Sequence, residues 1–91
     1  MELDLYKIKD IYGNSSIYEI KDHMEEVINN MKYIKSLGFE DIYNIVEVNP
    51  YIFLIDSKIF KEKVNNLINK LGAFYFEKLE ENIFLWGEIN D

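Results

Sequence analysis

His23 is the single imidazole of the chain, and imidazole is the side chain best suited to proton transfer near neutral pH. On a helix it would stand one turn from both Glu19 and Glu26, within reach of an imidazole–carboxylate contact. A general base also needs a nucleophile and an orienting group nearby. Ser15, Ser16 and Ser57 all sit where a turn or a helix cap would use their hydroxyls, so His23 reads as a solvated surface residue. Cysteine is absent, which excludes a thiol nucleophile, a disulfide and a thiolate metal site. Carboxylates alone can hold a hard cation. However, there is no Asp-rich loop with calcium-site spacing and no His-x-x-x-His, so neither metal nor cofactor is expected. Arginine is absent too, and with it bidentate grips on phosphate or carboxylate. With so few catalytic groups, the chain is expected not to be an enzyme.

The 91 residues have room for one thin core, since a chain of this size buries only about 60% of its unfolded surface. A 48% apolar fraction with 15% aromatics is enough for that core and excludes a disordered chain. The longest apolar run, Tyr51 to Ile55, is too short for a membrane span or a signal-peptide core, and a cytoplasmic protein is expected. A net charge of −7 argues against direct binding to nucleic acid or anionic lipid. Gln, Thr, Cys and Arg are missing and Ala73 is the single alanine, while Ile, Asn, Lys, Tyr, Phe and Glu abound. All six have AT-rich codons, so individual Asn and Lys residues carry little functional weight.

The elements that would position these groups begin with two helices. Ile17, Ile20, Met24, Val27, Ile28, Met31, Ile34 and Leu37 follow the 3–4 spacing of one buried helical face. Ser16 and Glu19 form a capping box at its start, and Gly38 supplies a left-handed stop. The second helix spans Ser57 to Leu71, capped by Asp56 or Ser57 and ended by Gly72, with Phe60, Val64, Leu67, Ile68 and Leu71 inside. Both helices close on Leu-Gly, the nearest approach to an internal repeat. The remaining segments, Leu3–Tyr12, Ile42–Val48, Tyr51–Ile55, Ala73–Leu79 and Ile83–Ile89, read as strands. Asn49-Pro50 and Glu80-Glu81-Asn82 serve as hairpin turns. The order β-α-β-β-α-β-β predicts an α+β fold in one domain over residues 1–91. It would be a two-layer ferredoxin-like βαββαβ sandwich with an extra C-terminal edge strand. A four-stranded meander with the first strand elsewhere is the alternative. Such architectures host many functions, so function has to come from sites.

Two surfaces stand out on that layout. RNA readers stack bases on sheet aromatics among basic residues. Tyr6, Tyr43, Tyr51, Phe53, Tyr75, Phe84 and Trp86 supply the aromatics, but segments 39–56 and 73–91 each carry a net −4. The second helix has four lysines against Glu62, which reads as a solvated face. Tyr51–Ile55 is apolar on both alternating faces, as in a sheet face covered by a partner or a second copy. Phe84 and Trp86 share one face of the last strand and are expected to lie partly exposed, becoming buried in a complex.

The second surface is a rim of carboxylates at one end of the sheet. Glu2 and Asp4, Glu40 and Asp41, Asp56, and Glu80 and Glu81 would gather there, with Lys58, Lys61 and Lys78 the nearest counter-charges. Such a rim steers a basic partner. The expected function is a small acidic protein-binding domain, a stoichiometric inhibitor or immunity/anti-defence protein acting on a basic nucleic-acid-processing enzyme. Its partner-binding residues would be Glu40, Asp41, Asp56, Glu80, Glu81, Phe84 and Trp86. The alternative is a homo-oligomeric domain that senses a small molecule, using the Ile11-Tyr12-Gly13-Asn14 loop.

Overall fold

A computed structural model describes residues 5–90, and these fold entirely from helical segments. The expected α+β sandwich is overturned, because no strand occurs among the described residues. Helix α1 spans Leu5–Tyr12, α2 Asn14–Asp22, α3 Met24–Ser36, α4 Ile42–Val48, α5 Ser57–Leu71 and α6 Tyr75–Glu81. Short 3₁₀ segments cover Pro50–Leu54, Gly72–Phe74 and Ile83–Asn90. The five expected strands therefore became α1, α4, the 50–54 segment, the 72–81 stretch and the C-terminal 3₁₀ segment. Residues 3 and 4 of the first expected strand lie outside the described residues.

The physical reason is visible in α4. Its Ile42, Ile45 and Val46 are β-branched and suit a strand, yet they recur at i, i+3 and i+4, and all three are buried. Packing on one helical face outweighs an intrinsic preference worth about 1 kcal/mol or less per residue. The Asn49-Pro50 pair starts the 3₁₀ turn with proline at its first position, where the missing N–H costs no helical bond. Glu80 and Glu81 continue α6 to its end instead of forming a hairpin.

The expected first helix is kinked at His23 (φ −115°, ψ 28°), which divides α2 from α3. The i→i−4 pattern persists on both sides, with His23 N–H donating to Glu19 O and Val27 N–H donating to His23 O, each at 3.0 Å. The Ser16 capping box does not form. Gly13 precedes the helix, and the buried Ser16 hydroxyl donates back to the Gly13 carbonyl at 2.6 Å. The second helix has the expected bounds. The Asp56 carboxylate accepts from the amides of Lys58 and Ile59 at 3.1 and 3.4 Å, capping α5 at its start.

The 50–54 segment lies at the centre, in contact with α2, α3, α4 and the C-terminal 3₁₀ segment. That position explains why Tyr51–Ile55 is apolar throughout: protein surrounds it, with Ile52 and Phe53 fully buried. Burying one such side chain stabilises the fold by about 1.5–3 kcal/mol. Phe53 meets Phe60 of α5 at a ring separation of 5.4 Å. Buried Asn30 of α3 closes the end of this segment, its Nδ2 donating to the carbonyls of Phe53 (3.0 Å) and Ile55 (2.8 Å). A second aromatic group, Phe39, Phe76 and Trp86, joins the α3–α4 connection to α6 and the C-terminal segment.

Candidate functional site

Phe39 follows the Leu37-Gly38 end of α3 and is buried, stacked on Phe76 of α6 at 4.5 Å and edge-on to Trp86 at 5.1 Å. Gly38 turns the chain into this stack with φ 104°, a backbone conformation that L side chains rarely adopt. The stack fixes the α3–α4 connection beside α6, and each strand of chain carries two acids with it: Glu40 and Asp41 on one side, Glu80 and Glu81 on the other. All four line one groove of about 240 Å³. Its apolar lining comes from Phe39, Ile45, Leu79 and Ile83, with Asn44 the neutral polar group.

Local stability does not explain the placement of these acids. Glu80 and Glu81 end α6, where the partial negative charge of unpaired carbonyls disfavours further negative charge. Asp41 precedes α4, yet its carboxylate makes no capping hydrogen bond. Among the described residues no salt bridge engages any of the four. Two of the lysines expected as counter-charges are occupied elsewhere. Lys78 donates to the Leu71 carbonyl at 2.9 Å, closing the end of α5, and Lys61 lies 5.5 Å over the Tyr33 ring. The groove thus combines concentrated negative charge with an apolar base.

The other expected site residues are scattered. Asp56 caps α5 and does not line the groove, while Glu2 and Asp4 lie outside the described residues. Phe84 is exposed, but Trp86 is buried at 0% exposure, which corrects the expectation that it lies partly exposed. A 3₁₀ segment turns once in about three residues, so residues two apart no longer share a face as they would on a strand. His23 is exposed at the α2–α3 kink, and Glu26, one of its expected neighbours, instead accepts from both the amide and the hydroxyl of Ser57 at 2.8 Å. Among the described residues no group of three His, Asp or Glu is arranged to hold a metal. No helix among them is long and apolar enough to cross a membrane.

Two concavities were missed in the sequence. One, of about 310 Å³, lies between α1 and α2 and is lined by Tyr6, Lys9, Asn14, Ile17, Tyr18 and Lys21. The other, of about 450 Å³, lies between α3 and α4, where Ile28, Met31, Lys32 and Lys35 face Ile42, Tyr43 and Glu40. The i, i+3, i+4, i+7 spacing of the four α3 residues was the available signal for the second. No protein-family model, curated protein or solved structure matches the chain.

Proposed function

We propose that this chain is a small acidic, non-enzymatic protein-binding domain that docks a basic partner at the groove formed by Glu40, Asp41, Glu80 and Glu81. The observation that carries the reading is the convergence of these four carboxylates, without an ion pair among the described residues, around an apolar base. Charge of one sign focused in a concave site attracts and orients a partner of opposite sign. Phe39, Ile45 and Leu79 at the base of the groove are already buried, so Ile83 is the apolar lining residue with surface left for a partner to cover. Enzymes that process nucleic acids present lysine and arginine toward phosphates. Carboxylates in a groove are complementary to that surface, and a stoichiometric inhibitor of such an enzyme is the role we assign. Three of the four serines have local structural uses: Ser16, Ser36 and Ser57 donate to Gly13 O, Tyr33 O and the Glu26 carboxylate. Affinity capture with the whole chain from the lysate of its host, repeated with Glu40, Asp41, Glu80 and Glu81 changed to lysine, tests the proposal. A stoichiometric basic protein retained by the native chain and lost by the variant supports it; equal retention by both refutes it.

A second reading is favoured by the α1–α2 cleft. Lys9, Lys21 and the hydroxyls of Tyr6 and Tyr18 suit a small anionic ligand, in keeping with a sensor role. Thermal-shift screening against anionic metabolites tests it, and stabilisation lost in Lys9→Ala and Lys21→Ala would favour the sensor.

A further inference from the structure

We propose that the partner is recognised through a two-part segment: an amphipathic helical turn whose apolar side chains fill the α3–α4 groove, followed by basic residues that pass Glu40 into the acidic groove. This inference rests on the reading of the acidic groove as a docking site and names the segment that fits it.

Helix α3 carries two apolar stripes. Val27, Asn30 and Ile34 face the core and are fully buried, whereas Ile28 on the neighbouring stripe keeps 43% of its surface exposed. With Met31, Ile28 forms the apolar wall of the 450 Å³ groove opposite Ile42 and Tyr43. Apolar anchors at i, i+3 and i+4 of a short helix are the usual occupants of such a groove. Glu40 lines both this groove and the acidic one, so the two are neighbours on either side of one residue, close enough for one short segment to reach both.

Charge across the two grooves sets the order of the occupant. Lys32 and Lys35 border the apolar groove, and beyond Glu40 stand Asp41, Glu80 and Glu81. Acidic residues of the bound segment are favoured beside the two lysines, and basic residues are favoured past Glu40. The reverse order places like charges together at both ends and is rejected.

Two synthetic helical peptides with the same lysine tail provide the test. One precedes the tail with leucines at i and i+4 flanked by glutamates; the other has serines in place of the leucines. In titration calorimetry with the whole chain, the leucine peptide is expected to bind about tenfold more tightly or better, from one or two newly buried side chains. Ile28→Ser should remove that advantage, and K32E together with K35E, which sets like charge beside the glutamates that both peptides carry, should weaken both. Ile28 is 43% exposed, so its variant should melt only a few degrees lower and stay folded at the assay temperature. E80K with E81K should weaken both peptides. Equal affinity of the two peptides, both still weakened by E80K/E81K, overturns the apolar subsite and leaves the acidic groove standing. A leucine advantage that survives Ile28→Ser also overturns the proposal. Affinities unaffected by E80K/E81K overturn the underlying docking reading itself.

Discussion

The carboxylate of Glu26 accepts two hydrogen bonds from Ser57, one from its backbone amide and one from its hydroxyl, each 2.8 Å long. This contact fastens α3 to the first turn of α5, where unpaired amides and the helix dipole both favour negative charge. Glu26→Ala is expected to lower the unfolding free energy by about 1–2 kcal/mol. Ser57→Ala should cost less, because the amide bond survives. Urea denaturation of the two variants and the double variant should show non-additive losses.

Asn30 offers a sharper test of the core. Its Nδ2 donates to two carbonyls, and the whole residue is buried, with Oδ1 lacking a partner. Asn30→Ala strands the carbonyls of Phe53 and Ile55 and should cost about 1–3 kcal/mol. Asn30→Asp keeps the shape but aims a carboxyl at two acceptors. Burial and those acceptors favour its neutral form, raising its folded pKa above the unfolded value. The folded variant then binds more protons than the unfolded chain, so its stability falls as pH rises through that interval. Denaturation at pH 4 and pH 7 should place this variant closer to the native protein at pH 4.

Gly72 ends α5 with φ 83° and ψ −158°, a combination open essentially only to glycine. A Cβ at this position would meet no atom within 4 Å, so any loss on substitution comes from the backbone alone. Gly72→Ala is expected to cost about 1–3 kcal/mol. Gly72→Asn should not rescue it, since asparagine tolerates left-handed helical geometry but not this ψ. Thermal melts of both variants check the expectation.

Trp86 is buried against Phe39. Its emission should be blue-shifted in the isolated chain and unchanged by partner binding. Trp86→Ala should destabilise by about 3–5 kcal/mol. Trp86→Phe should cost less, because it retains much of the packing and removes an indole Nε1 that lacks a hydrogen-bond partner.

Helix α5 was legible: of the two expected caps, Asp56 and Ser57, Asp56 serves, Phe60, Val64 and Leu67 are buried while Ile68 and Leu71 are partly so, and Gly72 ends it. The expected first helix was legible in part: Ile20, Val27 and Ile34 are buried as its spacing predicts. However, Ile28, expected on the same face, is exposed, and the kink at His23 has no proline or glycine to announce it. The five expected strands failed for a compositional reason. Where codon bias fills a chain with Ile, Tyr and Phe, β-branched and aromatic content no longer discriminates strand from helix. The helical spacing of Ile42, Ile45 and Val46 was present and was the better guide. Trp86 was misplaced by the same error, since alternation along a strand paired it with exposed Phe84.

The acidic groove illustrates a different limit. Glu40, Asp41, Glu80 and Glu81 do converge, but not through the sheet edge that suggested their proximity. They are brought together because Phe39, next to Glu40, stacks on Phe76, four residues before Glu80. A stack between residues so distant in the chain leaves no local signature. Asp56, placed on the same rim by the sheet layout, is separated from it in the helical fold and serves α5 instead.

The carboxylates of Glu40, Asp41, Glu80 and Glu81 are proposed to draw in and hold a basic partner. The most direct measurement is the association rate with the captured partner across a salt series, for the native chain and for the variant with all four changed to lysine. The variant should keep its fold and associate about tenfold or more slowly at low salt, the difference narrowing as salt screens the charges. A folded variant with unchanged association rate, affinity and salt dependence would contradict that role.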